Sequence, residues 1–208
     1  MNEQLSISHS RRYDIEGRYS ALLDAGEILL CEGYENAKPQ QIAKMAKVSV
    51  GLFYRHFKNK QELLTAITVK HLGILHRQID RELEAQNDPV LALDTVLILT
   101  ISYFQQHQGL IKLFFMQIGY GNATAIEQLK ESRQKYRNIL ECIIQQGITK
   151  NIFVTLDVPI AINSIIGTIN WSLYDLLIVN NENIESSELA NKLLVHFLRG
   201  LGSQAERK

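Results

Sequence analysis

The sequence predicts an all-α fold of about nine helices, with a three-helix domain containing a helix-turn-helix over residues 12–58 and a larger helical domain over residues 59–208. Three observations lead there. Only three prolines and twelve glycines punctuate 208 residues, which suits long helices better than many short strands. Apolar residues make up 46% and recur at three- and four-residue spacing over long stretches. Helix-start signals stand where those stretches begin, as at Asp88-Pro89 and Asp157 with Pro159.

The elements follow in order. Helix 1 is predicted from about Asp14 to Glu32, with Ile15, Tyr19, Leu22, Gly26 and Leu29 on one face and Gly33 as a left-handed stop. Helix 2 starts at Pro39 and runs to about Ala46, turning Ile42, Ala43 and Ala46 inward. Ser49 caps helix 3, Val50 to about Phe57. Helix 4 runs from Lys60 to about Ala85 with Leu64, Thr68, Leu72, Leu75, Ile79 and Leu83 as its inner stripe. Helix 5 ends near His107, and helix 6 covers about Gly109 to Ile118. Helix 7 spans about Thr124 to Gln146, with Gly147 as its stop. Helix 8 continues from Asp157 to about Val179, and helix 9 from about Ser187 to Arg199. Residues 151–156 form a short ambiguous patch, and the Ser203–Lys208 tail should fray.

Charge is split along the chain. Between Asn36 and Lys60 stand Lys38, Lys44, Lys47, Arg55, Lys58 and Lys60 with no Asp or Glu. The remaining chain carries 16 basic against 22 acidic residues, a net of −6. A basic block confined to one place on a neutral chain implies one anionic partner there, although a solvated helix face has the same composition. Cys31 and Cys142 are far apart and form no C-x-x-C, so apolar packing is their expected role and a cytoplasmic setting fits. Met1 to Ser10 has no apolar core of a signal peptide. The stretch Ile160–Val179 is long enough to span a bilayer but contains Asn163, Asn170 and Asp175, so it reads as a buried interface and no membrane is called for. None of the six histidines forms H-x-x-x-H, and neither H-E-x-x-H, G-x-S-x-G nor a phosphate loop occurs, so no enzyme, metal or cofactor is expected.

Pro39 to Phe57 has the dimensions of a helix-turn-helix. Small Ala43 and Ala46 let two helices cross closely, and Ile42, Val48 and Leu52 or Phe53 hold the crossing. The Ser49 end exposes backbone N–H groups that suit a phosphate. Such patterns recur in many helical proteins, and the basic window over the same residues is what turns this one toward DNA.

The run Gly33-Tyr34, Ile42-Ala43, Ala46, Val48-Ser49, Gly51-Leu52-Phe53-Tyr54-Arg55-His56-Phe57 and Lys60-Gln61-Glu62-Leu63-Leu64 resembles the N-terminal signature of the TetR family of bacterial regulators, specifically over about Arg18 to Leu64. The resemblance implies three N-terminal helices for DNA, a helical domain for ligand and dimerisation, and release from an operator by ligand. Val50, Gly51 and Leu52 match groove-facing positions, Leu52 being equally suited to the core. Tyr54, His56 and Lys60 match phosphate-contacting positions, with packing as the alternative for His56. Arg55 suits a guanine edge or a phosphate, and Lys47 and Ser49 add phosphate contacts. Arg11 and Arg12 form either a minor-groove arm or an unbound tail. Two departures bear on docking geometry: Lys47 stands where the family usually has glycine, and Ala37-Lys38 where it has a capping hydroxyl.

The resulting expectation is a dimeric repressor on a palindromic double-stranded DNA operator, released by a small apolar effector. The alternatives are a TetR-like activator and a helical small-molecule-binding protein without DNA. The expected dimer face is Ile162, Ile165, Ile166, Ile169 and Leu173 of helix 8 with Leu193 and Phe197 of helix 9. The expected ligand set is Tyr103, Phe104, His107, Phe114, Phe115, Met116, Tyr136, Asn170, Trp171 and Tyr174, an aromatic-rich mixture with a few polar groups. For any one of them taken singly, ordinary core is the more usual role. Helix 4 is expected to transmit between ligand and DNA.

Overall fold

The computed structural model describes residues 2–120, 123–154, 157–182 and 184–202, and among them every regular element is helical. The order is α1 (Asn2–Glu32), α2 (Pro39–Met45), α3 (Val50–His56), α4 (Lys60–Leu83), α5 (Pro89–Gln106), α6 (Gln108–Tyr120), α7 (Ala123–Thr149), α8 (Val158–Tyr174) and α9 (Ser186–Gly202). A π-helical turn, Asp175–Val179, extends α8. The chain forms two compact units, residues 1–70 with 113–128 and residues 71–112 with 129–208; α4, α6 and α7 each contribute to both.

The predicted caps form as hydrogen bonds. Ser49 Oγ accepts from the Leu52 N–H at 3.2 Å. Asp88 Oδ1 accepts from Val90 and Leu91 at 2.8 and 3.3 Å, and Asp157 Oδ1 from Ile160 at 2.9 Å. Each such cap contributes about 1 kcal/mol by satisfying donors that the first turn leaves open. At α2, where no hydroxyl stands at the cap, Gln41 Oε1 instead reaches back to the Lys38 N–H at 3.1 Å. Asn59 caps α4 through the Glu62 N–H at 2.9 Å, and Glu62 returns to the Lys58 N–H.

Three local expectations are corrected. α1 starts at Asn2 rather than Asp14, because no glycine or proline interrupts residues 2–16; Arg11 and Arg12 therefore fall within a helix, and their side chains lie outside the described residues. Gly33 is not left-handed, since no glycine among the described residues has positive φ. α1 instead closes with Gly33 N–H on the Leu29 carbonyl, and the Gly33 carbonyl accepts from Asn36 and Ala37, all at 3.1 Å. Gly147 does not stop α7, which runs to Thr149; Asn151, at φ 56°, takes the left-handed position. Gly147 is there for space: a Cβ on it would lie 2.0 Å from the buried Phe153 ring. Residues 151–154 form no strand, and the Val154 N–H donates to the Leu201 carbonyl at 2.8 Å. Ser203–Lys208 lie outside the described residues.

In the first unit, Leu22, Leu30, Ile42, Ala43, Phe53, Leu63 and Ile67 are sealed from solvent. Burying a side chain the size of Phe53 contributes roughly 2–3 kcal/mol. Gly26 of α1 admits Leu63 of α4, whose Cδ2 would lie 2.5 Å from an added Cβ. In the second unit α5 is the central helix, burying nine residues from Pro89 to Phe104 and packing on α8 and α9. Its companions include Leu75 and Ile79 of α4, Leu140 and Ile144 of α7, Ile162, Ile165 and Ile169 of α8, and Phe197 of α9.

Candidate functional site

The α2–turn–α3 segment is held from beneath and open above. Ile42, Ala43 and Phe53 are fully buried, so Phe53, not Leu52, pins α3 to the core. Phe53 meets the rings of Tyr54 at 5.3 Å and Phe57 at 5.7 Å. Between the helices the chain turns at Lys47, whose φ of 55° places it in the left-handed region. The Lys47 N–H donates to the Lys44 carbonyl at 3.1 Å and the Val48 N–H to the Ala43 carbonyl at 2.9 Å. A β-carbon in that region costs about 1–2 kcal/mol relative to the right-handed well, the physical reason a glycine is favoured there.

This packing leaves Lys47, Ser49, Gly51, Tyr54 and Arg55 exposed, with Val50 and Leu52 half-buried. Tyr54 is 52% exposed despite its size. A groove runs over this surface, lined by Lys47, Val48, Ser49, Gly51, Leu52 and Arg55, with Gly17, Arg18 and Ala21 of α1 as its other wall. Arg18 is a basic wall residue that the reading of motifs along the chain missed. Its only signal is its place on α1 four residues before Leu22, and no pattern within α1 says that this face meets α3.

His56 and Lys60 are placed differently from the exposed set. His56 is half-buried against Tyr19, ring centroids 5.4 Å apart, with Nε2 enclosed and lacking a hydrogen-bond partner. Lys60 donates from Nζ to the Tyr34 carbonyl at 2.7 Å, lies 4.1 Å from the centre of the Tyr34 ring and has Glu35 at 3.9 Å. Its ammonium thus braces the α1–α2 loop and keeps further N–H groups to offer outward.

Within the second unit the aromatic set divides into separate clusters. Tyr103 and Phe104 are buried on α5, and His107 lies 4.7 Å from Tyr103. His71 of α4 joins them, its Nδ1 2.6 Å from the Tyr103 hydroxyl, a buried partner that sequence reading missed because it sits on an otherwise apolar stripe. Tyr136 instead meets His76 and Thr100. Phe114 and Phe115 are half-buried, 6.3 Å apart, and the Met116 side chain lies outside the described residues. Trp171 is 61% exposed, its ring 5.8 Å from that of half-buried Tyr174, and the preceding Asn170 is half-buried. An open groove of about 290 Å³ between α4 and α5 is lined by Gln78, Arg81, Glu82, Leu99, Ser102, Tyr103 and Gln106, too polar for an apolar pocket.

The predicted dimer face is corrected in the same way. Ile162, Ile165, Ile169, Leu173, Leu193 and Phe197 are at most 8% exposed and belong to the protomer's own core, and only Ile166 is half-buried. α8 leaves a different stripe outside: Ile160, Asn163, Ser164, Gly167 and Trp171 at three- and four-residue steps. Only 28% of Val158–Val179 is buried, although it is long and apolar enough to cross a membrane; the other such helix, α5, is 50% buried.

A short helix pinned by one phenylalanine, offered outward beside a basic groove and followed by a larger helical unit, defines a helix-turn-helix transcriptional regulator. Comparison with known proteins agrees. Residues 22–67 match the bacterial regulatory proteins, tetR family, and residues 86–174 match the tetracyclin repressor-like C-terminal domain. The chain belongs to the TetR family and is a ligand-responsive DNA-binding regulator. The fatty acid metabolism regulator protein of Bacillus subtilis (strain 168) is 25% identical over 186 residues, 88% of this chain and 95% of that one. QacR of Staphylococcus aureus is 25% identical over 184 residues, covering 85% and 94%. Among solved structures, FadR from Bacillus subtilis in complex with stearoyl-CoA shares the fold at a TM-score of 0.79, with 24% identity over 88% of this chain and 99% of that one. AibR in complex with isovaleryl coenzyme A and operator DNA does so at 0.70, with 21% identity over 86% and 97%.

Proposed function

We propose that this protein is a cytoplasmic repressor that binds a near-palindromic operator as a homodimer and is released by an acyl-CoA. The observation that carries the reading is the outward face of α3 beside the basic groove. Gly51 lets the backbone approach the major groove, Arg55 offers a bidentate fork to a guanine, and Lys47, Tyr54 and Lys60 meet phosphates around it. Val50 and Leu52 supply apolar contact to base edges, and Ser49 supports the helix start.

Dimerisation is supported by the exposed Ile160 and Trp171 on a face of α8 that small Ser164 and Gly167 leave open to close approach, with exposed Val195 of α9 as a further contact. A two-fold axis would then set two reading heads one or more helical turns apart. The effector class rests on the two relatives of the same fold, FadR with stearoyl-CoA and AibR with isovaleryl coenzyme A. The chain acts by binding and needs no cofactor.

The test is titration of the purified protein against DNA upstream of its own coding sequence, with and without stearoyl-CoA and isovaleryl-CoA. A dimer neutralising roughly six to ten phosphates loses about three to five decades of affinity between 50 and 200 mM salt. Arg55→Ala relaxes preference at one base pair per half-site, whereas Lys60→Ala weakens all sequences alike. Loss of DNA binding on adding an acyl-CoA supports the reading; an acyl-CoA that leaves the complex unchanged or tightens it overturns release by this effector. A consensus unchanged by Arg55→Ala removes the base-reading role.

A further inference from the structure

The second unit holds a buried hydrogen-bonding group with nothing to bond. His76 of α4 is 3% exposed, and its Nε2 is enclosed without a partner. The ring stacks on Tyr136 of α7, centroids 6.1 Å apart and planes 26° from parallel. The Tyr136 hydroxyl meets the Thr100 hydroxyl of α5 at 2.9 Å and is satisfied there. The nearby charged groups, Asp80 and Lys135, pair with each other at 2.7 Å. On the same helix Leu75 and Ile79 are sealed in the core. Three helices thus enclose a polar atom that neither these hydroxyls nor the ion pair satisfies.

Folded proteins rarely keep such an atom, because its lost contact with water is not returned. A Leu or Met at this position would remove the penalty. Burial also draws the imidazole down to about 4, so the ring is neutral near pH 7 and presents one N–H and one lone pair. A buried group with no partner among the described residues is completed by an ordered water, an ion or a ligand, and this unit is the one that takes the ligand.

We propose that His76 is the polar anchor of the effector, its Nε2–H donating to the thioester carbonyl of a long-chain acyl-CoA while the Tyr136 ring and the neighbouring apolar side chains flank the acyl chain. This rests on the acyl-CoA reading above. The anchor tells an acyl thioester from a plain hydrocarbon chain, since only the carbonyl completes the hydrogen bond.

The experiment compares stearoyl-CoA with S-octadecyl-CoA, a thioether of matched length without the carbonyl, by calorimetry on the full chain and on His76→Leu and His76→Gln. The wild type should bind the thioester about tenfold more tightly than the thioether. His76→Leu should bind the two alike and unfold at an equal or higher urea concentration, because an orphaned polar group has gone. His76→Gln, which keeps an N–H donor, should recover part of the preference and decides the matter if the leucine variant does not fold. A thioester preference that persists in both variants overturns the anchor and leaves the acyl-CoA reading standing. Failure of the wild type to bind either probe overturns both.

Discussion

Replacing Lys47 separates the strain in the helix-turn-helix from its charge. Lys47 sits at φ 55° with an exposed side chain at the rim of the basic groove, so one residue carries a backbone cost and a positive charge. Glycine removes both; alanine removes the charge and keeps the β-carbon. Relief of the left-handed conformation is worth about 1–2 kcal/mol, offset by about 0.5–1 kcal/mol for the freer unfolded glycine chain. Lys47→Gly should therefore be about 1 kcal/mol more stable than wild type, roughly 2–4 °C in midpoint for a chain this long at fixed protein concentration. Lys47→Ala should match wild type within about 0.5 kcal/mol. Both variants should lose one phosphate contact per subunit, lowering the slope of log affinity against log salt by about two per dimer. Urea melts and anisotropy titrations between 50 and 200 mM salt measure the two effects. If Lys47→Gly is no more stable than Lys47→Ala, the strain argument is wrong; an unchanged salt slope removes Lys47 from the DNA surface.

Three further outcomes follow from the geometry. Gly147→Ala places a methyl within 2.0 Å of the buried Phe153 ring, and overpacking of this kind costs about 1–3 kcal/mol, so its urea midpoint should fall while Gly167→Ala, with open space around it, leaves the protomer intact. Burial, and after it the Lys135 charge, holds His76 at about 4 against about 6.5 unfolded, so the unfolded chain binds the extra proton; the stability contributed is whole above pH 6.5 and lost as pH falls through 4. His76→Leu should be flatter than wild type over that window in urea melts at pH 7.5 and 4.5, and parallel pH profiles would refute the assignment. Trp171→Asp or Ile160→Asp puts a charge on the exposed α8 stripe and should yield a monomer by light scattering with the helical content kept; a dimer surviving both substitutions would move the interface elsewhere.

Local chemistry made much of this protein legible in its residues alone. Ser49, Asp88 and Asp157 start helices because a side-chain oxygen two or three residues from an open N–H needs no distant partner, and all three form those bonds. The helix-turn-helix was legible for the same reason, being a segment of under twenty residues whose small, apolar and basic positions have a fixed spacing. Even the strain at Lys47 could be read, from a β-carbon where a glycine is favoured. Tertiary structure decided which side of an apolar element faces which neighbour. α8 is apolar nearly all round, so its sequence carries no preferred face; packing on α5 and α9 drew in Ile162, Ile165, Ile169 and Leu173 and left Ile160 and Trp171 outside. The same holds for Arg18 on the groove wall, Gly147 under Phe153, and His71 and His76 among leucines of α4. Each owes its role to a residue 6 to 37 positions away or to the lack of one, and a hydrogen bond or a steric contact at that separation exists only once the chain has brought the two together.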